Sequence, residues 1–232
     1  MKLSVVKLGL MEYSVAYELQ LKIVKLSQQK AIDNVLLMLE HPPVLTMGIN
    51  GNRDNILVNE DVLGEMGVSV FRSNRGGDVT YHGPGQVVAY PIINLKHFGK
   101  DVRSYVRKIE EISIRMMKEE YGLIVDRRSG LPGVWIGNDK ITAIGCAIKS
   151  CVTMHGFALN VNTNLEHFKL INPCGFTDKD VTSLEKLLGK SMDMDIVMDH
   201  IIKYFDEIFN MQSEILDKEI FLRKVDDLYV GE

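Results

Sequence analysis

The chain is poor in cysteine, and its cysteines form no recognisable motif. Three cysteines, Cys146, Cys151 and Cys174, occur among 232 residues, and none of them has CxxC spacing. An odd number of cysteines disfavours a disulfide framework, and the absence of paired spacing disfavours a structural zinc site. Both observations fit a protein in a reducing compartment, so we expect a cytoplasmic location.

Long apolar runs and an excess of positive charge are also missing. The longest apolar runs, 35–39 and 87–95, are far too short to span a bilayer. The region after Met1 lacks the apolar segment of a secretory signal. The formal net charge is −4, whereas proteins dedicated to nucleic-acid binding normally carry a basic excess. We therefore expect neither a membrane nor a nucleic acid as a partner.

Several common catalytic motifs are absent. The sequence contains neither GxxxxGK[ST] nor GxGxxG, so a phosphate loop and a dinucleotide site are unsupported. It lacks HExxH, and its six histidines show no metal-ligand spacing. It also lacks GxSxG, the elbow that carries the nucleophile of many serine hydrolases. The sequence predicts no metal and no bound cofactor.

The remaining pattern is that of an ordinary globular chain, 46% hydrophobic and 25% charged. Apolar periodicity predicts helices over 14–31 and 101–120. It predicts strands over 3–10, 35–39, 44–47, 68–73, 87–95, 134–136, 140–148 and 152–161. Because several strands follow one another directly, we expect an α+β fold with a mixed, largely antiparallel sheet packed with helices.

The C-terminal part is predicted to be helical. Thr182 and Glu185 have the spacing of a capping box ahead of an apolar pair. Helical periodicity follows at 197, 201 and 205. The sequence contains no internal repeat and no low-complexity linker. We interpret 1–232 as one catalytic domain with helical decoration from about residue 190.

The most unusual stretch is RGGDVTYHGPGQ at 75–86, called here the glycine-rich segment. Composition alone permits a plain turn between two strands. Glycine also allows a backbone to approach a ligand closely, and Arg75, Tyr81, His82 and Gln86 are not typical of ordinary loops. The segment is therefore also a candidate main-chain cradle.

Two further residues have both a structural and a functional interpretation. Cys174 lies between Pro173 and Gly175, which favours a turn, where a cysteine can act chemically. An isolated cysteine is also commonly a small buried apolar residue. Lys140 begins a predicted strand, where a lysine is usually a solvated surface charge. If Lys140 instead lies beside a cysteine, its positive charge would favour the thiolate. His82 and His155 are candidate acid/base partners for a cysteine, or packed side chains.

Four segments together resemble a known family. They are RGGDVTYHGPGQ at 75–86, GVWIGNDKITAIG at 133–145, HGFALNV at 155–161 and INPCG at 171–175. In this order they resemble the lipoyl(octanoyl) transferase family, also called octanoyl-[acyl-carrier-protein]:protein N-octanoyltransferases. That family shares the α+β fold of the catalytic domains of biotin- and lipoate-protein ligases, so the resemblance implies this fold.

The resemblance also implies roles for particular residues. Cys174 corresponds to the nucleophile that carries the acyl group as a thioester. Lys140 corresponds to the lysine that lowers the pKa of this cysteine and acts as a general base. The acyl-binding segments of the family correspond to Arg75, Gly76, Gly77, Asp78, Val79, Thr80, Tyr81, His82, Ala143, Ile144, Gly145, Gly156, Phe157 and Ala158.

The implied activity is an acyl transfer in lipoate biosynthesis. An octanoyl or lipoyl group would pass from acyl-carrier protein to a lysine of an apo lipoyl domain, in 2-oxo acid dehydrogenases or the glycine-cleavage H protein. A thioester donor needs no ATP. Three alternatives stay open: an ATP-dependent lipoate- or biotin-protein ligase of the same fold, a transferase with its nucleophile at Cys146 or Cys151, and a protein that only binds lipoyl domains.

Overall fold

The computed structural model describes residues 1–172 and 180–230. Its strands are β1 (Lys2–Leu10), β2 (Asn34–Glu40), β3 (Val44–Met47), β4 (Ser69–Arg72), β5 (Val79–His82), β6 (Gln86–Ile92), β7 (Asp126–Arg128), β8 (Leu131–Ile136), β9 (Asp139–Lys149), β10 (Val152–Asn160), β11 (Asp180–Val181) and β12 (Gln212–Ile215). Its α-helices are α1 (Tyr13–Gln28), α2 (Glu60–Glu65), α3 (Val102–Tyr121), α4 (Leu184–Leu188), α5 (Met194–Phe209) and α6 (Lys218–Val230). Short 3₁₀ helices span Arg53–Asn55, Leu95–Phe98 and Leu165–Leu170.

Nine of these strands form the main sheet. Its order is β12-β1-β2-β6-β10-β9-β8-β7, with β11 beside β9. Strand β1 is parallel to β12 and β2, and β11 is parallel to β9. The other pairings in this sheet are antiparallel. The structure therefore has the mixed, largely antiparallel sheet that the sequence predicted.

Helices cover both faces of the main sheet because the central strands are apolar on both sides. On β6, Val87 and Ala89 pack into the cluster that contains α3 and α5. Val88 and Tyr90 point the other way, into the cluster that contains α1 and α6. This alternation is the two-residue period of a strand buried on both faces.

The long helices begin and end where the sequence supplies caps. Helix α3 begins after Asp101, whose side chain accepts a hydrogen bond from the Arg103 N–H, and it ends at Gly122 with φ +67°. Helix α1 ends three residues before the predicted boundary at 31, because its last turn closes at Gln29. The predicted helices over 14–31 and 101–120 are both present.

A second, three-stranded sheet has the order β4-β3-β5. Strand β5 lies inside the glycine-rich segment, which the sequence analysis treated as a loop. That interpretation was wrong for residues 79–82, because Val79 to His82 pair antiparallel with Met47 to Val44. Val79 and Tyr81 pack into a third apolar cluster with residues such as Leu45. The turn or loop that the glycine-rich composition predicts is present on either side of β5, but not at β5 itself.

The predicted capping box at Thr182 is one residue off. Ser183, not Thr182, caps α4, and its hydroxyl accepts a hydrogen bond from the Lys186 N–H. The Thr182 N–H instead donates to the Lys140 carbonyl. This bond continues the pairing of β11 with β9, so Thr182 still belongs to the strand side of the boundary.

The helices after residue 190 contribute buried side chains to both faces of the main sheet. Phe205 of α5 packs in the cluster with α3, and Phe221 of α6 packs in the cluster with α1. The single-domain interpretation of 1–232 stays a prediction, which these contacts support. None of the helices in the described ranges has the length and apolar character needed to cross a membrane.

Candidate active site

A cleft of about 1050 Å³, its open mouth included, lies between the main sheet and the glycine-rich segment. Strands β6, β10 and β9 form one wall, and residues from the turn before β5 and from β5 itself form the other. Most of the lining is apolar, with a few polar groups, as is usual for small-molecule sites. The sequence-predicted residues that line it are Arg75, Gly76, Gly77, Asp78, Val79, Thr80, His82, Lys140, Ala143, Ile144, Gly145, Gly156, Phe157 and Ala158.

Small residues on β9 and β10 form part of the strand wall. Ala143 pairs with Ala158 across β9 and β10, and Gly145 pairs with Gly156 two residues further along β9. A Cβ on Gly145 would lie only 3.0 Å from the Gly76 carbonyl oxygen. The missing side chain at Gly145 therefore lets the glycine-rich segment pack directly onto β9.

Arg75 holds the opposite wall in place. Its buried guanidinium donates from Nε to Thr46 Oγ1 at 3.1 Å, from Nη1 to the Gly76 carbonyl at 3.0 Å and from Nη2 to the Asp78 carbonyl at 2.7 Å. Nη2 also donates to the Thr46 carbonyl. Bonds from a charged donor to several main-chain acceptors fix a loop strongly. Arg75 thus acts as a structural clamp of the segment.

One end of the cleft, called here the lysine end, is formed by Leu131, Trp135, Lys140, Asp180 and Val181. The Lys140 ammonium lies 4.6 Å from the centroid of the Trp135 ring, a cation–π distance. Lys140 is half-buried, not a solvated surface charge. Its main chain pairs with Val181 of β11.

Cys174 lies outside the described residues, and the described residues that flank 173–179 are connected to this cleft. Before them, the Asn172 N–H donates to the Asn55 carbonyl at 2.8 Å, and the Asn55 side chain donates to Asp78 of the cleft. After them, Asp180 lines the cleft at the lysine end. The chain therefore lines the cleft directly after the segment that contains Cys174, and directly before that segment it is linked to the cleft through Asn55.

Five aromatic and imidazole side chains form a second group, called here the histidine cluster: Tyr13, His41, His82, Tyr90 and His155. Tyr13 stacks on His82 at 5.9 Å between ring centroids, and His41 meets His82 edge-on at 5.7 Å. The Tyr90 hydroxyl donates to His41 Nε2 at 2.7 Å, because His41 Nδ1 already donates to the Met11 carbonyl.

Burial keeps these imidazoles neutral at physiological pH. It lowers the pKa of His82 and of His155 to about 3 and that of His41 to about 4. The positive charge of Arg75 lowers the pKa of His82 and of His155 further. His155 also has φ +54° inside β10, a backbone conformation that costs free energy and often occurs at functional sites.

The two described cysteines are poor candidates for a nucleophile in this cleft. Cys146 packs against the cluster on the α3 face, and burial raises the pKa of its thiol. Cys151 lies in the β9–β10 turn and is not part of the cleft lining. A raised pKa lowers the fraction of reactive thiolate at Cys146, and Cys151 does not line the cleft. Neither position therefore favours the alternative with a nucleophile at Cys146 or Cys151.

The lipoyl protein ligase A/B catalytic domain, as a family model, matches residues 12–206 of this chain. The chain is 56% identical to an octanoyltransferase of Desulforamulus reducens over 217 residues, which is 94% of this chain and 95% of that protein. It is 49% identical to an octanoyltransferase of Caldicellulosiruptor saccharolyticus, with 94% of each covered. The chain belongs to the octanoyltransferase family. The resemblance found in the sequence is confirmed, and so is the prediction of an acyltransferase.

Solved structures show how far the fold of this octanoyltransferase family member is shared. A bipartite lipoate protein ligase from Thermoplasma acidophilum matches with a TM-score of 0.73 at 15% identity, covering 100% of this chain and 93% of that one. A lipoate-protein ligase A bound with ATP also matches at 0.73 and 15%, covering 100% and 96%. A biotin protein ligase from Aquifex aeolicus matches at 0.54 and 14%, covering 90% and 70%. The predicted fold class is confirmed.

Sequence reasoning missed several residues of the cleft. Tyr13, Tyr90 and Trp135 line it together with Asn160 and Phe168. Only Trp135 and Asn160 lie within the quoted family segments, and nothing in the local pattern around Tyr13 or Tyr90 separates them from core residues. Tyr81, in contrast, is not part of the lining: it packs against Phe168 at 5.3 Å, and burial raises its pKa to about 12.

Proposed function

We propose that this chain transfers an octanoyl group to a protein lysine through a thioester on Cys174, with Lys140 as the assisting base. Membership of the octanoyltransferase family supports octanoyl transfer in lipoate biosynthesis as the reaction. The observation that supports the covalent route is the lysine end of the cleft. There Lys140 faces β11, the first described element after Cys174.

In the first step, the Cys174 sulfur attacks the carbonyl carbon of a thioester donor. A new carbon–sulfur bond forms at Cys174, the donor's carbon–sulfur bond breaks, and the donor thiol leaves with the proton that Cys174 loses. A free thiol has a pKa of about 8.5, so a nearby cation increases the thiolate fraction at neutral pH. Lys140 is the proposed cation. Because one thioester replaces another, this step needs no ATP.

In the second step, a lysine ε-amine of the acceptor attacks the acyl-enzyme. A carbon–nitrogen bond forms, the carbon–sulfur bond at Cys174 breaks, and the amine loses one proton. Lys140, when neutral, accepts that proton as a general base. The amide product is more stable than the thioester, which drives the reaction forward.

The apolar part of the cleft fits the acyl chain. Ala143, Ala158 and Val88 offer only hydrocarbon to a ligand, on adjacent strands of one wall. A hydrocarbon chain gains free energy by leaving water for such a surface, at about 0.8 kcal/mol per methylene group. The predicted acyl-binding residues, with Tyr81 set aside as a packing residue, form this proposed acyl site.

The proposed donor is octanoyl-acyl-carrier protein, and the proposed acceptors are apo lipoyl domains, including the glycine-cleavage H protein. The bipartite ligase of similar fold belongs to a lipoylation system that was analysed structurally with its E2 lipoyl domain, which supports an acceptor of this class. Cytoplasmic location also stays a prediction from the cysteine content.

The deciding experiment locates the acyl group. The wild-type chain and Cys174→Ser are mixed with octanoyl-acyl-carrier protein, and their intact masses are measured. We expect the wild type to gain one octanoyl group, mapped to the peptide that contains Cys174, and Cys174→Ser to gain none. Cys151→Ser is the matched control and should be acylated normally.

The same samples separate the alternatives. A ligase would leave Cys174→Ser active with free octanoate and ATP. A protein that only binds lipoyl domains would transfer nothing under either condition. An octanoyl group on Cys146 or Cys151, or none on the wild type during active transfer, would contradict the proposal.

A further inference from the structure

Three buried side chains form a hydrogen-bond relay from the glycine-rich segment to the lysine end. His82 Nδ1 lies 2.7 Å from Gln86 Oε1, and Gln86 Nε2 lies 2.9 Å from Asn160 Oδ1. Asn160 Nδ2 lies 3.0 Å from the Thr182 carbonyl oxygen. All three side chains are buried, with Gln86 only 1% exposed.

Main-chain carbonyls fix the direction of every bond in this relay. The Thr182 carbonyl can only accept, so the Asn160 amide nitrogen must point to it and the Asn160 oxygen must face Gln86. The Tyr81 carbonyl likewise accepts from Gln86 Nε2, at 3.3 Å. The Gln86 oxygen is therefore left for His82, and it can only accept.

This direction determines the protonation of His82. Because Gln86 Oε1 accepts, His82 Nδ1 must carry the hydrogen that it donates. A neutral imidazole has a single N–H, so Nε2 is then an acceptor on a ring that lines the cleft. The relay thus selects one of the two neutral tautomers of His82.

The other end of the relay reaches Lys140. The Thr182 N–H donates to the Lys140 carbonyl at 3.0 Å, and Val181 is the β-sheet partner of Lys140. Asn160 therefore anchors the peptide that joins β11 to α4, next to the proposed base. One continuous set of bonds connects an acceptor in the cleft with the strand beside Lys140.

We propose that Gln86 and Asn160 are positioning residues for acyl transfer, which hold His82 as its Nδ1–H tautomer and hold β11 against β9 at Lys140. The tautomer part of this inference follows from the bonds alone. The part that concerns acyl transfer rests on the proposed function above.

The groups around His82 keep its ring neutral. The relay therefore controls which ring nitrogen carries the hydrogen, and not the charge of the ring. Tyr13 stacks on its ring, His41 meets it edge-on, and Arg75 and His155 act on it electrostatically. Together with burial, His41, Arg75 and His155 lower the pKa of His82 to about 3. A second proton is therefore not available to His82 near neutral pH.

The test begins with the wild-type chain labelled with ¹⁵N-histidine. The ¹⁵N chemical shifts of a ring show which nitrogen carries the hydrogen, and His82→Gln assigns the signal. We expect His82 to be protonated at Nδ1 and unprotonated at Nε2 between pH 6 and 8, values within the range in which histidines normally titrate. A signal showing hydrogen on Nε2 of the wild-type His82 would overturn the relay, whatever Gln86 and Asn160 variants do.

Two variants then test the two ends of the relay separately. Gln86→Met keeps the length of the side chain but removes the acceptor, so the Nδ1–H tautomer should no longer dominate. Asn160→Asp still accepts from Gln86 but cannot donate to the Thr182 carbonyl, so the His82 tautomer should persist. Gln212→Met, at an exposed position on β12, is the matched control and should behave like the wild type.

In octanoyl transfer, the kcat of both relay variants should fall by about tenfold or more, because each variant loses one buried hydrogen bond. The KM should change by less than about twofold. Wild-type kcat in both variants, or an unchanged His82 tautomer in Gln86→Met, would overturn the positioning role. If the wild type transfers nothing, the proposed function fails, and the ¹⁵N signal still decides whether the relay exists.

Discussion

The lysine end and the histidine cluster border the same cleft but differ in charge. At the lysine end, the Lys140 cation lies over the Trp135 ring on a half-buried strand. In the histidine cluster, burial and the nearby Arg75 lower the pKa values so that the imidazoles are neutral. The two regions are also far apart along β9. Cys146 pairs with His155, and the backbone from Lys140 to Cys146 spans about 20 Å at about 3.3 Å per residue.

One cleft can in this way separate chemistry from binding. A cation promotes ionisation of a thiol beside it, whereas an acyl chain needs surfaces without charge. The same polypeptide meets both requirements by placing its titratable groups at different depths. Each of the following predictions changes one side of this comparison.

The largest expected effect is on stability at low pH and concerns the histidine cluster. An unfolded histidine has a pKa of about 6.5, above the folded pKa of about 3 for His82 and His155 and about 4 for His41. Below pH 6.5 the unfolded chain therefore binds more protons, and stability falls until the folded pKa values are reached. We expect a loss by pH 5 of about 2 kcal/mol for each histidine.

Urea unfolding between pH 5 and 8, a window around the ordinary histidine pKa of about 6.5, measures this loss. His155→Gln should reduce the pH dependence by about one third, because one of three histidine contributions is removed. His97→Gln, at an exposed site, is the control and should leave it unchanged. A flat stability between pH 5 and 7 would show that the cluster is already charged or solvated.

The next effect is on the reaction and concerns the lysine end. Lys140→Ala should slow acylation at pH 7 by about 10²- to 10³-fold, the usual contribution of an assisting acid or base. If Lys140 acts by favouring the thiolate, the rate of the variant should recover as the pH approaches the ordinary thiol pKa of about 8.5. The time course of octanoyl adduct formation by intact mass measures both. A wild-type rate at pH 7 would remove Lys140 from the mechanism.

A smaller effect is expected for Arg75, the clamp of the glycine-rich segment. Arg75→Lys keeps the charge but loses the planar fork that reaches Thr46, Gly76 and Asp78. We expect the free energy of unfolding to fall by about 2–4 kcal/mol. Arg72→Lys, an exposed neighbour on β4, should cost less than about 0.5 kcal/mol. Equal losses in the two variants, measured by urea unfolding, would contradict the role of Arg75 as a clamp.

The smallest effect concerns the second cation over Trp135. The Arg128 guanidinium lies 4.9 Å from the centroid of this ring, but Arg128 does not belong to the cleft lining. Arg128→Gln should change the acylation rate by less than about twofold, in line with the small worth of partly exposed charge contacts. A loss as large as that of Lys140→Ala would mean that the net charge of this end matters, not the position of Lys140.

Much of the sheet could be predicted from the sequence, because buried strands carry continuous apolar runs. β2, β6, β9 and β10 were all predicted as strands. β5 was not, since Gly76, Gly77, Gly83 and Gly85 flank it closely and mask its alternation of Val79 and Tyr81. β7, β11 and β12 were also missed, because each of these short strands has at most one apolar residue and is held by its partners, not by its own pattern.

The cleft was predicted through ordered motifs and not through periodicity. The family segments contain Lys140 and all of the predicted acyl-binding positions, and all of these except Tyr81 line one cleft. Tyr13 and Tyr90 lie outside those segments and line the cleft only because the fold brings α1 and β6 to the glycine-rich segment. The clamp role of Arg75 needed the structure as well, since its acceptors are mainly main-chain carbonyls that no residue type reveals.

The isolated acyl-enzyme provides the sharpest test of whether the Cys174 thioester is competent for transfer. The wild-type chain is acylated with octanoyl-acyl-carrier protein, freed of the donor, and mixed with an apo lipoyl domain. We expect the octanoyl mass to leave the Cys174 peptide and appear on the domain's lysine at a rate no slower than the steady-state kcat. An acyl-enzyme that stays loaded or only hydrolyses, while donor, enzyme and domain together still give product, would contradict the account.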